Sequence, residues 1–150
     1  MQIDVSKMTL PEIFNHLSEL TNEDRPIAIK AISNFRPDLK IVFQLIHDKN
    51  IEFDLPSGVP PYKPLDMPNN WGYNRLPKEL RKFNYFIKSV TPNLNKIKRE
   101  KIFIELLESV SAEEAKLVLM IKERKLEYKG LTKRYVKKAF PEFFPGDTEE

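Results

Sequence analysis

The chain has 150 residues, 41% of them apolar and 31% charged, with a formal net charge of +3. That is enough chain for one buried core under an unusually charged surface. The absence of cysteine excludes a disulfide scaffold, a thiol nucleophile and a cysteine metal site.

No apolar run approaches the roughly 20 residues that a membrane-spanning helix needs. The first residues lack the basic-then-apolar pattern of a signal peptide. The expectation is a soluble cytoplasmic protein. Charge is unevenly spread. Residues 1–54 carry 6 Lys/Arg against 9 Asp/Glu, and residues 55–150 carry 19 against 13. From Arg75 to Lys101, nine basic residues face only Glu79 and Glu100. Such clustering is the electrostatic footprint of a polyanion partner, and DNA, RNA or an acidic protein each fits it.

Thr9-Leu10-Pro11-Glu12 predicts the start of a first helix, with Thr9 and Glu12 as a capping box and Pro11 in the first turn. Ile13, Phe14, Leu17 and Leu20 form its apolar face. His16 has no neighbour at metal-ligand spacing and reads as surface or half-buried. A second helix begins at Asn22, with Ile27, Ile29, Ala31 and Ile32 inward, and breaks at Asn34-Phe35-Arg36-Pro37. A third spans about Pro37 to His47, burying Leu39, Val42, Phe43 and Ile46. The strict alternation Ile51-Glu52-Phe53-Asp54-Leu55 predicts a short extended piece.

Residues 55–77 read as one long loop. Pro56, Pro60, Pro61, Pro64, Pro68 and Pro77 forbid helix and central strand there. Trp71 and Tyr73 within it either pin the loop to the core or contact a partner or a stacked base. A fourth helix is expected from about Pro77 to Ser89, with Leu80, Phe83, Phe86, Ile87 and Val90 at core spacing. A fifth is expected from about Lys96 to Ser109, burying Phe103, Leu106, Leu107 and Val110. Ser111-Ala112-Glu113-Glu114 is a second capping box. It opens a sixth helix with Ala115, Val118, Leu119 and Leu126 inside.

A glycine turn at Gly130 then leads to a short basic helix. Its apolar side is Tyr135, Val136, Ala139 and Phe140, and Pro141 stops it. Residues 145–150 form an acidic tail. Short links between amphipathic helices predict an all-α fold, a single-domain orthogonal bundle of about seven helices over residues 1–150.

Two helix starts concentrate cations. Lys96, Lys98 and Arg99 stand at the fifth. Lys129, Gly130, Thr132, Lys133, Arg134 and Lys137 stand at or near the seventh. Like charges spaced i,i+4 weaken a helix, and cations at its start oppose its dipole. A bound phosphate offsets both costs, while the bland reading leaves these residues as a solvated face. No nucleotide-cradling glycine loop, zinc spacing or serine-centred triad occurs. No catalytic residue, metal or cofactor is therefore expected. The expected function is non-catalytic binding of duplex or nicked DNA through phosphates. The alternative is a module docking on replication or transcription machinery or a host factor. It would use the proline-rich loop, with Tyr62 and Trp71, and the tail aromatics Phe143 and Phe144, whose bland reading is that they fold back on the core.

Two family resemblances add to this reading. Leu55, the run Pro60-Pro61-Tyr62-Lys63-Pro64, Pro92-Asn93-Leu94, Arg99-Glu100, Phe103-Ile104, Leu107-Glu108, Tyr128-Lys129-Gly130-Leu131-Thr132 and Ala139-Phe140-Pro141 resemble an uncharacterised family of small tailed-phage proteins. That resemblance implies an infected bacterial cell as the setting and brings no activity. The run Leu126-Glu127-Tyr128-Lys129-Gly130-Leu131-Thr132, with Tyr135-Val136, Ala139 and Pro141, resembles the closing turn and helix of the N-terminal DNA-binding domain of phage-type ATP-dependent DNA ligases. Leu39, Val42-Phe43, Leu45 and Asn50-Ile51-Glu52-Phe53 are similar to an early part of that domain. The resemblance implies minor-groove binding through backbone contacts, with Lys129, Gly130, Thr132 and Lys133 near phosphates. Tyr128 stands where many ligases place arginine. The ligase adenylation motif Lys-x-Asp-Gly is absent.

Overall fold

The computed structural model describes residues 5–64 and 76–144. The fold is all-α, with seven α-helices among the described residues. They are α1 (Leu10–Ser18), α2 (Asp24–Phe35), α3 (Pro37–His47), α4 (Leu76–Glu79), α5 (Lys96–Ser109), α6 (Ala112–Glu123) and α7 (Lys133–Ala139). Short 3-10 turns occupy Val5–Lys7, Leu80–Phe86 and Pro141–Phe143. Where the sequence reads as one domain, the chain divides into two compact units. One comprises residues 1–49 and 124–150, and the other comprises residues 50–123.

In the first unit, α1 starts as its capping box dictates. Thr9 Oγ1 accepts from the Glu12 amide at 3.3 Å, and Glu12 Oε1 accepts from the Thr9 amide at 2.8 Å. Leu10, Ile13, Phe14 and Leu17 are all fully buried. Phe14 packs edge-on to Phe43 of α3, and Phe43 lies 6.1 Å from Phe140, just past α7. Each ring buried this way contributes roughly 2–3 kcal/mol relative to exposure. Arg36, in the break between α2 and α3, forks onto the Asp38 carboxylate. It also donates to the Val5 and Met8 carbonyls, tying down the lead segment. On α2 the inward residues are Arg25, Pro26, Ile29, Ile32 and Ser33. Ile27, expected inside, is 70% exposed. The buried stripe sets a helical phase that leaves positions 27 and 31 on the outer side.

In the second unit, α5 buries the expected Phe103, Leu106 and Leu107, and Val110 follows. Glu114 closes the predicted box on Ser111 and also accepts from the Leu76 amide at 3.0 Å. That second bond fixes the start of α4. On α6, Leu117 and Ile121 are fully buried and Leu119 is half-buried; the helix ends at Glu123, so Leu126, expected on it, lies past its end and is half-buried. The helix predicted for 77–89 is a single α-turn that tightens into 3-10. The reason is local. Ile87 turns to extended backbone and bridges antiparallel to Phe53, and the Asp54 amide donates to the Phe86 carbonyl at 2.8 Å. The extended piece at 51–55 is thus paired, and Val90 is left 54% exposed. Phe53, Phe83, Phe86 and Phe103 form this unit's own ring cluster.

His47, at the last turn of α3, is half-buried against Phe144, and its Nε2 has no hydrogen-bond partner. Burial, then the nearby Arg124 and Lys133 cations, push its pKa down to about 4. An unfolded histidine binds a proton near pH 6.5, whereas the folded one does not. Stability from this residue is therefore complete above pH 6.5 and lost as pH falls towards 4, by up to about 3 kcal/mol. Thermal melts at pH 7.5 and pH 5 should show this loss, and His47→Leu should flatten the difference between them.

Candidate nucleic-acid interface

The turn before α7 is organised by Arg25, which is buried although it belongs to the first turn of α2. Its guanidinium donates to the Leu17 carbonyl at 2.9 Å, the Leu20 carbonyl at 2.6 Å and Asn22 Oδ1 at 2.8 Å. It thereby satisfies carbonyls released at the end of α1. The same planar group lies under Gly130. A Cβ on Gly130 would stand 2.6 Å from Arg25 Nη1 and closer still to Cζ. Gly130 also has φ +80°, in the left-handed region. The glycine expected to admit a phosphate is therefore required for a different reason, the packing of Arg25 beneath it.

From this turn, Leu131 is buried and Thr132 caps α7 by its backbone, with no capping bond from its side chain. Val136, Ala139 and Phe140 face the core, and Tyr135 is half-buried. Lys129, Thr132, Lys133, Arg134 and Lys138 are exposed, and Lys137 is half-buried. Three cations surround the Tyr135 ring: Arg25 Cζ at 5.2 Å, Arg134 Cζ at 5.7 Å and Lys138 Nζ at 5.9 Å. Each such contact is worth roughly 0.5–1 kcal/mol at an exposed site and limits where the cation can point. Lys133 Nζ lies 5.5 Å over the Phe144 ring. Between Tyr128 and Pro141 there are five basic residues and no acidic one. Among the described residues, no carboxylate pairs with Lys129, Arg134 or Lys138. Lys133 and Lys137 have further contacts within the chain.

Beside this face an open groove of ≈ 820 Å³ runs along α2 and α7. Its floor is apolar, with Pro26, Ile27, Ala31 and Pro141, and Lys30 and Lys138 stand at it together with Glu23. Lys30 also donates to the Ala139 carbonyl at 3.4 Å, where the α7 dipole favours a cation.

The second predicted cation group divides. Lys96 and Lys98 are exposed, but Arg99 is 1% exposed. Its guanidinium pairs with Asp54 at 2.5 Å and donates to the Tyr85 carbonyl at 3.0 Å and the Thr91 carbonyl at 2.7 Å. A group with its donors committed inward does not reach a phosphate, so Arg99 is corrected from ligand contact to core tie. Lys96 and Lys98 belong to the second compact unit, and the α7 cations belong to the first.

The partner-binding residues also change. Phe143 and Phe144 are 7% and 3% exposed, packed on Phe140 and His47, so they are core and not anchors for a partner. Tyr62 is half-buried. Trp71 and the acidic tail 145–150 lie outside the described residues. Sequence reasoning missed Arg25 and Arg124. Arg124 adopts φ 59° just past α6 and donates to the Ile46 and Asp48 carbonyls, closing the end of α3. Arg124 meets carbonyls more than 70 residues earlier, and Arg25, although its hydrogen-bond partners are near in sequence, packs against Gly130 and Tyr135 more than 100 residues later, so neither role has a local signal. Among the described residues, no three His, Cys, Asp or Glu side chains gather to hold a metal ion. No helix there is long and apolar enough to cross a membrane.

A family of unknown function, DUF6433, matches residues 17–128. No curated protein and no solved structure matches the chain.

Gly130→Ala should destabilise the fold by about 2 kcal/mol, through left-handed strain and the clash with Arg25. Gly58→Ala, at φ +88° with open space around it, should cost about 1 kcal/mol. Urea unfolding of the two variants isolates the Arg25 contribution. Arg99→Met should cost about 3 kcal/mol, because it strands the Asp54 carboxylate.

Proposed function

We propose that this chain, which belongs to the DUF6433 family of unknown function, binds duplex DNA through backbone phosphates with the basic face of α7. One observation carries the reading. Lys129, Arg134 and Lys138 are exposed beside Lys133 and Lys137, on a segment free of acidic residues and rooted in the core by Val136, Ala139 and Phe140. The surface can neutralise phosphates. Between Lys129 and Phe140 there is no Asn, Gln, Asp or Glu to read a base edge, and Arg134 is the one planar donor among lysines. Thr132 is exposed and its hydroxyl is not used for capping, which supports its donating to a phosphate oxygen.

The role is non-catalytic, that of an accessory factor in phage DNA metabolism. The resemblance to ligase DNA-binding domains supports it through the turn Lys129-Gly130-Leu131-Thr132. Lys96 and Lys98 are a second, separate candidate contact. The docking alternative loses its aromatic anchors with Phe143 and Phe144 buried, and rests on the proline-rich loop alone.

Fluorescence anisotropy with two unrelated duplexes of equal length tests the proposal. Binding should be equal for both, with log affinity falling against log salt by about 0.9 per phosphate neutralised. Arg134→Ala with Lys138→Ala should weaken both duplexes alike and reduce that slope by about 2. Lys96→Ala with Lys98→Ala reports whether the second unit contributes. Absence of any salt-dependent affinity in the folded protein would overturn the reading.

A further inference from the structure

The second unit contains an apolar space of its own. It is a crevice of ≈ 350 Å³ between the proline-rich loop and α5. Leu55, Val59, Pro60, Phe103 and Ile104 supply apolar walls, and Glu100 is the charged residue of the lining. Residues 100, 103 and 104 share one side of α5, since positions i, i+3 and i+4 coincide on a helix.

The loop side of this crevice is held in place. Lys122, itself buried, donates through Nζ to the Pro56 carbonyl at 2.9 Å and the Gly58 carbonyl at 2.6 Å. Glu123 accepts from the Gly58 amide at 2.9 Å and pairs with Lys122 at 2.5 Å. Those bonds, led by the one from Lys122, hold the Glu123 carboxyl below the usual carboxylate range, so the clamp persists through neutral pH. Further along, Glu108 accepts from the Lys63 amide at 2.8 Å. Phe103 is 3% exposed and packs edge-on to Phe86 at 5.2 Å. Proline stiffens the loop wall, and the aromatic cluster stiffens the floor. A preformed apolar space of this size is typical of a small-ligand site, with little ordering cost on binding.

Glu100 is half-buried, and among the described residues its carboxylate has no ion pair or hydrogen bond. A carboxylate beside apolar walls and without a partner in the protein can take a cationic group as its counter-ion. We propose that this crevice binds a small apolar amine, one ring or short hydrocarbon body against Phe103 and Ile104 and its ammonium on Glu100. The volume suits one ring with a short chain. The site is independent of the α7 basic face.

Phenethylamine, 2-phenylethanol and phenylacetate serve as probes on the full chain, followed by amide chemical shifts and calorimetry. The expected result is saturable shifts at Gly58, Val59, Glu100, Phe103 and Ile104. Phenethylamine should bind about tenfold tighter than the alcohol, with phenylacetate weakest. Glu100→Gln should bring the amine down to the alcohol and leave the alcohol unchanged. Ile104→Trp should block both. Should that variant fail to fold, the exposed substitution Val59→Lys places a competing ammonium at Glu100 and should weaken the amine alone. No saturable binding into the millimolar range would overturn the proposal. Equal binding of amine and phenylacetate, or an amine preference that survives Glu100→Gln, would do the same.

Discussion

One buried guanidinium conditions the placement of the basic helix. Arg25 holds the carbonyl end of α1, the turn at Asn22 and, by close packing, the Gly130 turn. A guanidinium suits this work because its donors lie in one rigid plane with two flat faces. The edge satisfies oxygens while a face meets the glycine and the Tyr135 ring. A lysine at 25 would keep the charge and lose both the fork and the flat surface. The direction in which α7 leaves the turn, and thus where its cations point, follows from this contact.

The second unit repeats the device with different parts. Arg99 joins Asp54, Tyr85 and Thr91, the start of α5 to the extended piece and the 3-10 turn. Lys122 and Glu123 hold the proline-rich loop from the end of α6. In both units a cation expected from composition to meet solvent or an anion is instead spent on backbone carbonyls. Buried cations of this kind are tolerated because the oxygens they meet would otherwise be unsatisfied. Of the cations concentrated at the two helix starts, those left at the surface are Lys129, Lys133 and Arg134 on one unit, with Lys138 beside them and Lys137 half-buried, and Lys96 and Lys98 on the other.

The proposed function rests on that subtraction. A cation whose donors are already satisfied adds to the net charge but makes no contact with a partner. The outward groups around Tyr135 retain free donors and a restricted orientation, which suits a regular array of phosphates. The apolar crevice by Glu100 has the opposite character, low polarity with one carboxylate. The two proposed sites differ in the sign of ligand charge that they would favour.

The local periodicities of α1, α3 and α5, the two capping boxes, the glycine turn and the all-α class were legible in the chain. Each depends on residues within a turn or two of one another. The end of the fourth helix was not, because Ile87 is drawn into a bridge with Phe53, more than 30 residues earlier. Nor were the fates of Phe143 and Phe144 fixed, since their aromatic run reads as core and also as bait. Arg99 and Lys98 are neighbours with the same charge, and composition treats them alike. Only the folded chain separates them, because the helix turns one towards Asp54 and the other to water. Sequence by itself determined which segments coil and where the positive charge is stored. Tertiary structure decided which charges are consumed internally, since that depends on carbonyls and carboxylates brought close from distant parts of the chain.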